Sequence, residues 1–232
     1  MLENLREIIQ SYGNNSNKSN NNENLKISAE TLLFDGSGSA IKIFIYLINN
    51  FNLLSDGFID GQIKNLPEFR QKKCAAYLNP ADKKACILSY LLLESGLREQ
   101  YKITREIAFI YNKNGKPYLQ DFPDIFFNIS HCKNNAVCVI SDYEIGVDIQ
   151  DIRLFDIDIA RRVCSEKELK RLAESDNSDK LFCRMWTEKE SYAKSFGGSV
   201  ADIFKYNLPA KHFIHRDGEN YCMSIYCRQN NF

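Results

Sequence analysis

The order of predicted elements repeats along the chain, and this repeat constrains the fold more than any other feature. An apolar run at 41–48 precedes a helix that the residues at 80–82 introduce, and short strand-like runs follow. A second strand-like run at 145–150 precedes helical stretches, the longest at about 180–196, and a closing strand. Because hydrophobic spacing separates helices from strands, this order predicts two similar α+β halves with a boundary near Asp142.

The repeat also sets the predicted domains. Residues 13–24 are Asn-rich and almost free of apolar side chains, so they are typical of a linker that cannot fold by burial. A short helix is predicted at 2–12, before this linker. We therefore predict an N-terminal extension at 1–39 with this linker, a first half at 40–142 and a second half at 143–232.

Local signals predict where the elements begin and end. The run 41–48 (IKIFIYLI) is apolar at nearly every position, and its Ile, Phe and Tyr content favours a strand over a helix. Gly96 is expected to end or kink the helix before it. Ser165 and Glu168 match a capping box, and the glycine at 197 is expected to end the last helix.

Composition excludes several function classes. The 232 residues include 30 Lys+Arg and 30 Asp+Glu, so no global field favours a nucleic acid or a membrane surface. An anion site must therefore be built locally. The N-terminus lacks the pattern of a signal peptide, and no apolar run is long enough to span a bilayer. The expectation is a cytoplasmic protein.

The eight cysteines are scattered, without a Cys-x-x-Cys pair. This pattern is typical of reduced thiols in a cytoplasmic protein. Ligation of a metal together with His131, His212 or His215 is the alternative, but no spacing typical of zinc sites supports it.

One acidic residue interrupts an apolar strand. In Ile145–Gln150 (IGVDIQ), Asp148 and Gln150 alternate with Val147 and Ile149, so the polar pair shares one face of the strand. A buried carboxylate needs a partner, and a metal or another cation would satisfy it. The alternative is a strand end that meets solvent.

Two further motifs carry groups that suit phosphate chemistry. Glu190 and Lys194 are four apart in WTEKESYAK (186–194) and share a helix face, although an ordinary surface ion pair has the same spacing. Ser130-His131 follows a strand in FNISH (127–131) and offers a hydroxyl and an imidazole, although it is also compatible with a simple turn.

In this order and spacing the motifs resemble the phosphopantetheinyl transferases of the surfactin-synthetase-activating class. The likeness extends from about Ala40 to the C-terminus. It rests on Gly115-Lys116-Pro117, FNISH, IGVDI and WTEKESYAK, with looser matches near 66–74 and at 80–82. It implies two pseudo-symmetric halves, each a small, mostly antiparallel sheet packed with helices. It also implies Mg²⁺-dependent transfer of 4′-phosphopantetheine from coenzyme A to a serine of an acyl or peptidyl carrier protein, with release of 3′,5′-ADP.

The resemblance assigns roles to individual residues. Asp148 and Glu190 would hold Mg²⁺, and Gln150 would stand where many members place a third carboxylate. Glu190 is also the candidate general base, and Lys194 would bind the diphosphate of coenzyme A. The set implied to bind the rest of coenzyme A comprises Ser130 and His131 at the 3′-phosphate, Lys116 near the nucleotide, and Arg70 and Lys73 as further phosphate contacts.

Two departures from the family pattern stand out. Gln150 removes one negative charge, which predicts weaker Mg²⁺ binding. Ala85 stands where an arginine usually contacts phosphate, and Lys83 or Lys84 is the expected substitute.

Alternatives remain open at this stage. Residues 27–37 loosely resemble the start of a carrier protein up to its modified serine, which would be Ser37, and 41–51 would then be a carrier helix. A non-catalytic relative that binds carriers or coenzyme A is a second alternative, and a purely structural α+β protein is a third. A monomer that binds neither nucleic acid nor membrane is expected.

Overall fold

The computed structural model describes residues 26–35, 40–209 and 211–228. Within these ranges the helices are α1 (Asp56–Ile63), α2 (Glu68–Ala75), α3 (Pro80–Tyr101), α4 (Ile157–Val163), α5 (Glu166–Ala173) and α6 (Ser178–Phe196), with short 3₁₀ turns at Phe51–Leu53 and Val200–Ile203. The strands are β1 (Lys26–Asp35), β2 (Ala40–Asn49), β3 (Phe109–Tyr111), β4 (Pro117–Leu119), β5 (Phe126–His131), β6 (Ala136–Ser141), β7 (Ile145–Asp151), β8 (Phe213–His215) and β9 (Tyr221–Cys227).

The strands form small antiparallel sheets. Four lie in the order β1-β2-β6-β5, two form the hairpin β3-β4, and three lie in the order β7-β9-β8. Every strand pairing is antiparallel. The predicted α+β class with small antiparallel sheets packed by helices is therefore confirmed.

The two larger sheets share one apolar layer. Side chains of β2 and β6 such as Ile43 and Val139 pack with Val147 of β7 and Ile225 of β9, and all four are fully buried. Alternation along each strand sends the intervening residues to the opposite face, where Tyr46 and its neighbours meet α3. The two larger sheets therefore pack against each other through fully buried apolar side chains.

The expectation that Gly96 ends or kinks the helix is wrong, because α3 continues to Tyr101. A Cβ at Gly96 would lie 2.6 Å from both Ile140 Cδ1 and Tyr46 Cε2. The glycine is required by the close approach of α3 to the four-stranded sheet, and the helix tolerates it because tertiary packing outweighs its low propensity.

Other boundary signals hold. Ser165 caps α5 in a capping box with Glu168, and Gly197 ends α6 with a φ of 63°, a region that favours glycine.

The run 41–48 is a strand, paired with β1 on one side and β6 on the other, so the alternative carrier helix is wrong. Ser37, the helix predicted at 2–12 and the linker at 13–24 lie outside the described residues. The later part of the predicted extension joins the fold, since β1 pairs with β2 along ten residues and Glu30 accepts hydrogen bonds from Arg216 at 2.7–3.2 Å.

A turn at 142–144 separates β6 from β7, close to the predicted boundary at Asp142. None of the described helices is long and apolar enough to cross a bilayer.

Candidate functional site

Asp148 is the buried centre of a polar cluster. Its side chain on β7 is only 1% exposed, so its carboxylate must be paired inside the protein. The Ser130 hydroxyl donates to Oδ1 at 2.7 Å, Lys194 Nζ lies 2.5 Å from the same oxygen, and Gln150 Nε2 donates to Oδ2 at 3.3 Å. The alternative of a solvent-facing strand end is therefore wrong.

Lys194 reaches Asp148 because α6 lies directly on β7. The contact passes over Gly146, where a Cβ would lie 2.0 Å from the carbonyl oxygen of Ser191 and 2.5 Å from the amide nitrogen of Ser195. Any larger residue would push the helix away from the strand, so the glycine of the IGVDI motif sets the distance between Asp148 and Lys194.

Glu190 lies one helical turn before Lys194 on the same face of α6 and is half-buried. Burial raises the pKa of the Glu190 carboxyl; the Lys194 charge lowers this pKa and the Asp148 charge raises it. No described residue forms a hydrogen bond or ion pair with Glu190. The carboxylate lines an open recess together with Gln150, Asp151 and Trp186. Glu190 thus shares this recess with Gln150, which is hydrogen-bonded to Asp148. That Asp148 and Glu190 converge on one ion stays a prediction.

The motif around Ser130 fixes β5 against β7. Asn128 Oδ1 accepts a hydrogen bond from the Val147 amide at 2.9 Å, and Ser130 Oγ accepts one from the Ile149 amide at 3.4 Å. Lys194 Nζ lies 3.2 Å from the Ser130 hydroxyl. Ser130 therefore joins strand β5, strand β7 and helix α6 at one point.

A second recess, of about 240 Å³, lies next to this cluster. Arg70 and Lys73 of α2 line it together with His131 at the end of β5. Arg70 is 92% buried, with 8% of its surface exposed, and its guanidinium lies 4.8 Å from the centre of the Tyr90 ring. The structure thus brings three predicted phosphate contacts together, and we call this space the cationic recess.

His131 connects the cationic recess to the Asp148 cluster. The residue is exposed at the mouth of the recess, but the protein packed around its ring lowers its pKa by desolvation. The charge of Asp82 raises the pKa, that of Lys194 lowers it, and that of Asp148 raises it again. His131 therefore lines the cationic recess while lying within electrostatic range of Lys194 and Asp148.

Lys116 is not placed with these residues. Its amino group lies 2.5 Å from Glu144 Oε2 and donates to the Ser195 carbonyl oxygen at 2.8 Å. Burial lowers the pKa of Lys116, and the Glu144 carboxylate partly offsets this shift. Because its donors are occupied, the amino group ties the β3–β4 turn to the end of α6. Its predicted contact with the nucleotide stays a prediction.

The position of Ala85 is also clarified. Ala85 is fully buried in α3, and neither of the neighbouring lysines lines the cationic recess. Lys83 pairs with Asp60 at 3.4 Å and Lys84 with Asp56 at 2.9 Å. In the described structure Arg70, rather than these lysines, supplies the buried cation.

Residues that the motifs did not single out support α6. Lys189 is buried and pairs with Glu168 at 3.1 Å while donating to the Tyr206 carbonyl oxygen at 2.9 Å. The sequence signal that could have predicted this buried ion pair is a lysine directly before Glu190 in a helix with a buried face. This pair joins α6 to α5 and to the loop at Tyr206.

A Glu–His–Ser arrangement lies behind Asp148. His215 Nε2 is 3.3 Å from Glu188 Oε1, and its Nδ1 is 3.2 Å from Ser224 Oγ, which in turn lies 2.8 Å from Thr187 Oγ1. Ser224 is fully buried and stands directly opposite Asp148 in the β7–β9 register. A buried hydroxyl cannot attack a substrate, so this network supports the strand and helix that carry the site.

The donor set can be tested for a metal. Among the described residues, no group of three or more His, Cys, Asp and Glu side chains is arranged to hold a metal ion. The carboxylates of Asp148 and Glu190 and the amide of Gln150 carry oxygens of the kind that Mg²⁺ prefers, and Mg²⁺ accepts few protein oxygens when water and phosphate oxygens complete its shell. Asp148 is paired with Ser130, Lys194 and Gln150, whereas Glu190 has no partner among the described residues. The chemistry of this donor set is therefore compatible with a divalent ion that is shared with a phosphate-bearing ligand.

Comparison with known proteins agrees with this site. Residues 144–232, which carry Asp148, Glu190 and Lys194, match the model of the 4′-phosphopantetheinyl transferase superfamily. The 4′-phosphopantetheinyl transferase Sfp of Bacillus subtilis (strain 168) is 31% identical over 159 residues, which are 66% of this chain and 68% of that protein. The chain belongs to the phosphopantetheinyl transferase family.

Other relatives of this family carry the same name. The 4′-phosphopantetheinyl transferase gsp of Aneurinibacillus migulanus is 36% identical over 63% of this chain and 59% of its own length. The 4′-phosphopantetheinyl transferase ffp of Bacillus subtilis is 30% identical over 64% of this chain and 66% of its own length. The predicted family is confirmed, and with it, at the level of the family, the prediction of a transferase enzyme.

Proposed function

We propose that the protein transfers 4′-phosphopantetheine from coenzyme A to a serine hydroxyl of an acyl or peptidyl carrier protein and releases 3′,5′-ADP. The observation that carries the proposal is the cluster of Lys194, Asp148 and Ser130, with Glu190 one turn away and the cationic recess beside it. An ammonium group and paired carboxylates next to a phosphate-sized cationic space suit phosphoryl-group transfer.

Each residue has a defined task in this proposal. Glu190 accepts the proton of the carrier serine, whose oxygen forms a bond to the β-phosphorus of coenzyme A while the bond to 3′,5′-ADP breaks. A carboxyl whose pKa is raised by burial suits a base that works near neutral pH. Lys194 stabilises negative charge on the departing diphosphate oxygen.

The cationic recess would bind the nucleotide end. The 3′-phosphate would accept charge-assisted hydrogen bonds from Arg70, Lys73 and His131. Ser130 holds Asp148 and Lys194 in place through hydrogen bonds to both.

Mg²⁺ is proposed as the metal, because carboxylate and amide oxygens are the ligands it prefers. Asp148 and Glu190 would hold it, with the amide oxygen of Gln150 nearby, and it would supply positive charge to the diphosphate. Lys194 already forms an ion pair with Asp148. We further propose a monomer that acts in the cytoplasm without nucleic acid or membrane.

The proposal is tested by incubating the full chain with coenzyme A, Mg²⁺ and a panel of apo-carrier proteins, and measuring intact masses. A carrier should gain the mass of one phosphopantetheine, and chelation of the metal should abolish the gain. Glu190→Gln should lower the transfer rate about 10²- to 10⁴-fold, which is typical of a lost general base. The exposed Glu174→Gln serves as the matched control and should keep the full rate.

Calorimetry with coenzyme A separates the alternatives. Binding of coenzyme A and carriers without any mass gain would favour the non-catalytic relative. A protein that neither binds coenzyme A nor modifies a carrier would refute the proposal.

A further inference from the structure

Two thiols face each other at the wall of the cationic recess. Cys74 on α2 is fully buried, and Cys86 on α3 lines the recess. Their sulfur atoms are 3.4 Å apart, with the Cys74 thiol donating to Cys86 Sγ. The two residues are thus neighbours in space, although twelve positions separate them in the sequence.

The surroundings of Cys86 favour a thiolate. The hydrogen bond from Cys74 lowers the pKa of Cys86 to about 6; burial opposes this shift, and the charges of Arg70 and Lys73 add to it. Arg70 Nη2 lies 3.4 Å from the sulfur and donates to the Cys86 carbonyl oxygen at 2.8 Å. The same hydrogen bond raises the pKa of Cys74. The two thiols therefore differ in their surroundings: Cys86 faces the recess and Arg70, and Cys74 lies behind it as the hydrogen-bond donor.

The remaining cysteines provide an internal comparison. Cys132 is the most exposed of the eight, yet burial of its thiol raises its pKa to about 12. In the second half, the Cys183 sulfur lies 3.5 Å from the Gln150 carbonyl oxygen and the Cys222 sulfur 3.6 Å from that of Lys180. These two residues form a similar thiol pair, in which the hydrogen bond from Cys183 lowers the pKa of Cys222 against the opposing effect of burial, but neither thiol lines the cationic recess. The most exposed cysteine, Cys132, is therefore not the cysteine that we expect to react first.

We propose that Cys74 and Cys86 form a redox-active dithiol that a peroxide or a small-molecule disulfide converts into an intramolecular disulfide. Reactive cysteines are typically found beside cations in partly open sites, with a second thiol within reach. A disulfide needs the sulfurs about 2.05 Å apart, so the pair must close by a little over 1 Å, within the reach of side-chain rotation.

The chemistry balances with hydrogen peroxide as the oxidant. The Cys86 thiolate attacks one peroxide oxygen and becomes a sulfenic acid, while the O–O bond breaks and hydroxide leaves to be protonated to water. The Cys74 sulfur then attacks the Cys86 sulfur, and the second oxygen leaves as water. Two thiols lose two hydrogen atoms, and one peroxide becomes two water molecules.

Oxidation would also change the recess. A disulfide carries no charge, so Arg70 loses the anionic sulfur that it faces in the reduced protein. If the recess binds a phosphate group, which rests on the proposed function, the oxidised protein should bind coenzyme A several-fold more tightly, because Arg70 no longer shares its charge. Formation of the disulfide itself does not depend on that function.

The test treats the full-length protein with hydrogen peroxide, alkylates the remaining thiols and maps the linked peptides by mass spectrometry. A Cys74–Cys86 crosslink is expected, with Cys132 still alkylated. Under native conditions iodoacetamide should label Cys86 at least ten times faster than Cys132, because the lower pKa of Cys86 gives it a much larger thiolate population. Cys132→Ser is the matched control and should leave the crosslink unchanged.

Two variants keep the test decisive. Cys74→Ser should remove the crosslink and leave a sulfenic acid at Cys86 that dimedone traps, and Cys86→Ser should remove both products. If Cys86→Ser does not fold, Cys74→Ser carries the test alone. The proposal is overturned if no Cys74–Cys86 crosslink forms, if Cys183 links to Cys222 in its place, or if Cys132 is labelled first. A crosslink without any change in coenzyme A binding would retain the dithiol and refute only its effect on the recess.

Discussion

The buried ion pair between Lys116 and Glu144 allows a quantitative test of whether Lys116 joins the β3–β4 turn to the end of α6 or contacts a nucleotide. The Lys116 side chain is 5% exposed and that of Glu144 is 23% exposed. Glu144→Gln leaves the ammonium group buried beside a neutral amide, which should cost about 3 kcal/mol of unfolding free energy, the lower end for a broken buried pair because Glu144 is partly hydrated.

Removing Lys116 instead of Glu144 should lower the free energy of unfolding by a smaller amount. Lys116→Met leaves a Glu144 carboxylate that still accepts a hydrogen bond from the Tyr118 hydroxyl at 3.1 Å and reaches solvent, but it also removes a donor from the Ser195 carbonyl oxygen. We expect a loss of about 1–2 kcal/mol. The double variant should lose about 2 kcal/mol, less than the sum, because it leaves no unpaired charge.

Urea denaturation of the four proteins measures these free energies. Lys113→Met, an exposed lysine of the same turn, is the control and should change stability by less than about 0.5 kcal/mol. Strictly additive costs would refute the coupling. A Lys116→Met protein of unchanged stability, with a raised KM for coenzyme A but not for its 3′-dephospho form, would instead identify Lys116 as a phosphate contact.

Three further predictions concern the site and the core. Gln150→Glu should lower the Mg²⁺ concentration for half-maximal transfer by adding a carboxylate beside Asp148; an unchanged metal titration would contradict this. Lys194→Met should reduce stability by about 3 kcal/mol in urea denaturation, because it leaves the Asp148 carboxylate buried without its cation. Adding Asp148→Asn should recover part of this loss. If the double variant recovers no stability, the pairing of Lys194 with Asp148 is contradicted. Gly96→Ala should lower the free energy of unfolding by about 1–3 kcal/mol, because the new Cβ would lie 2.6 Å from neighbouring side chains. Gly61→Ala in α1, where a Cβ meets nothing within 4 Å, should raise it by up to about 1 kcal/mol. Equal melting temperatures for the two variants would refute the packing argument.

Local chemistry in the sequence was sufficient for the features that depend on neighbouring residues. The Ser165–Glu168 capping box and the glycine end of α6 follow from spacing alone, since both satisfy helix ends within a few residues. Alternation in IGVDIQ placed Asp148 and Gln150 on one face of a strand, and helical spacing placed Glu190 beside Lys194. These are short-range properties, and the fold retains them.

Long-range contacts decided the rest. Gly96 reads as a helix breaker until Tyr46 and Ile140, distant in sequence, are packed against it. The sequence motif marks Lys116 as a candidate nucleotide contact, but only the fold shows that its amino group lies against Glu144 and the end of α6. The Cys74–Cys86 pair has no signature in the sequence, because its two helices meet only in the folded chain. Sequence spacing determines which side chains share one face of a helix or strand. Packing between elements determines which partner each side chain contacts and how far it is buried from water.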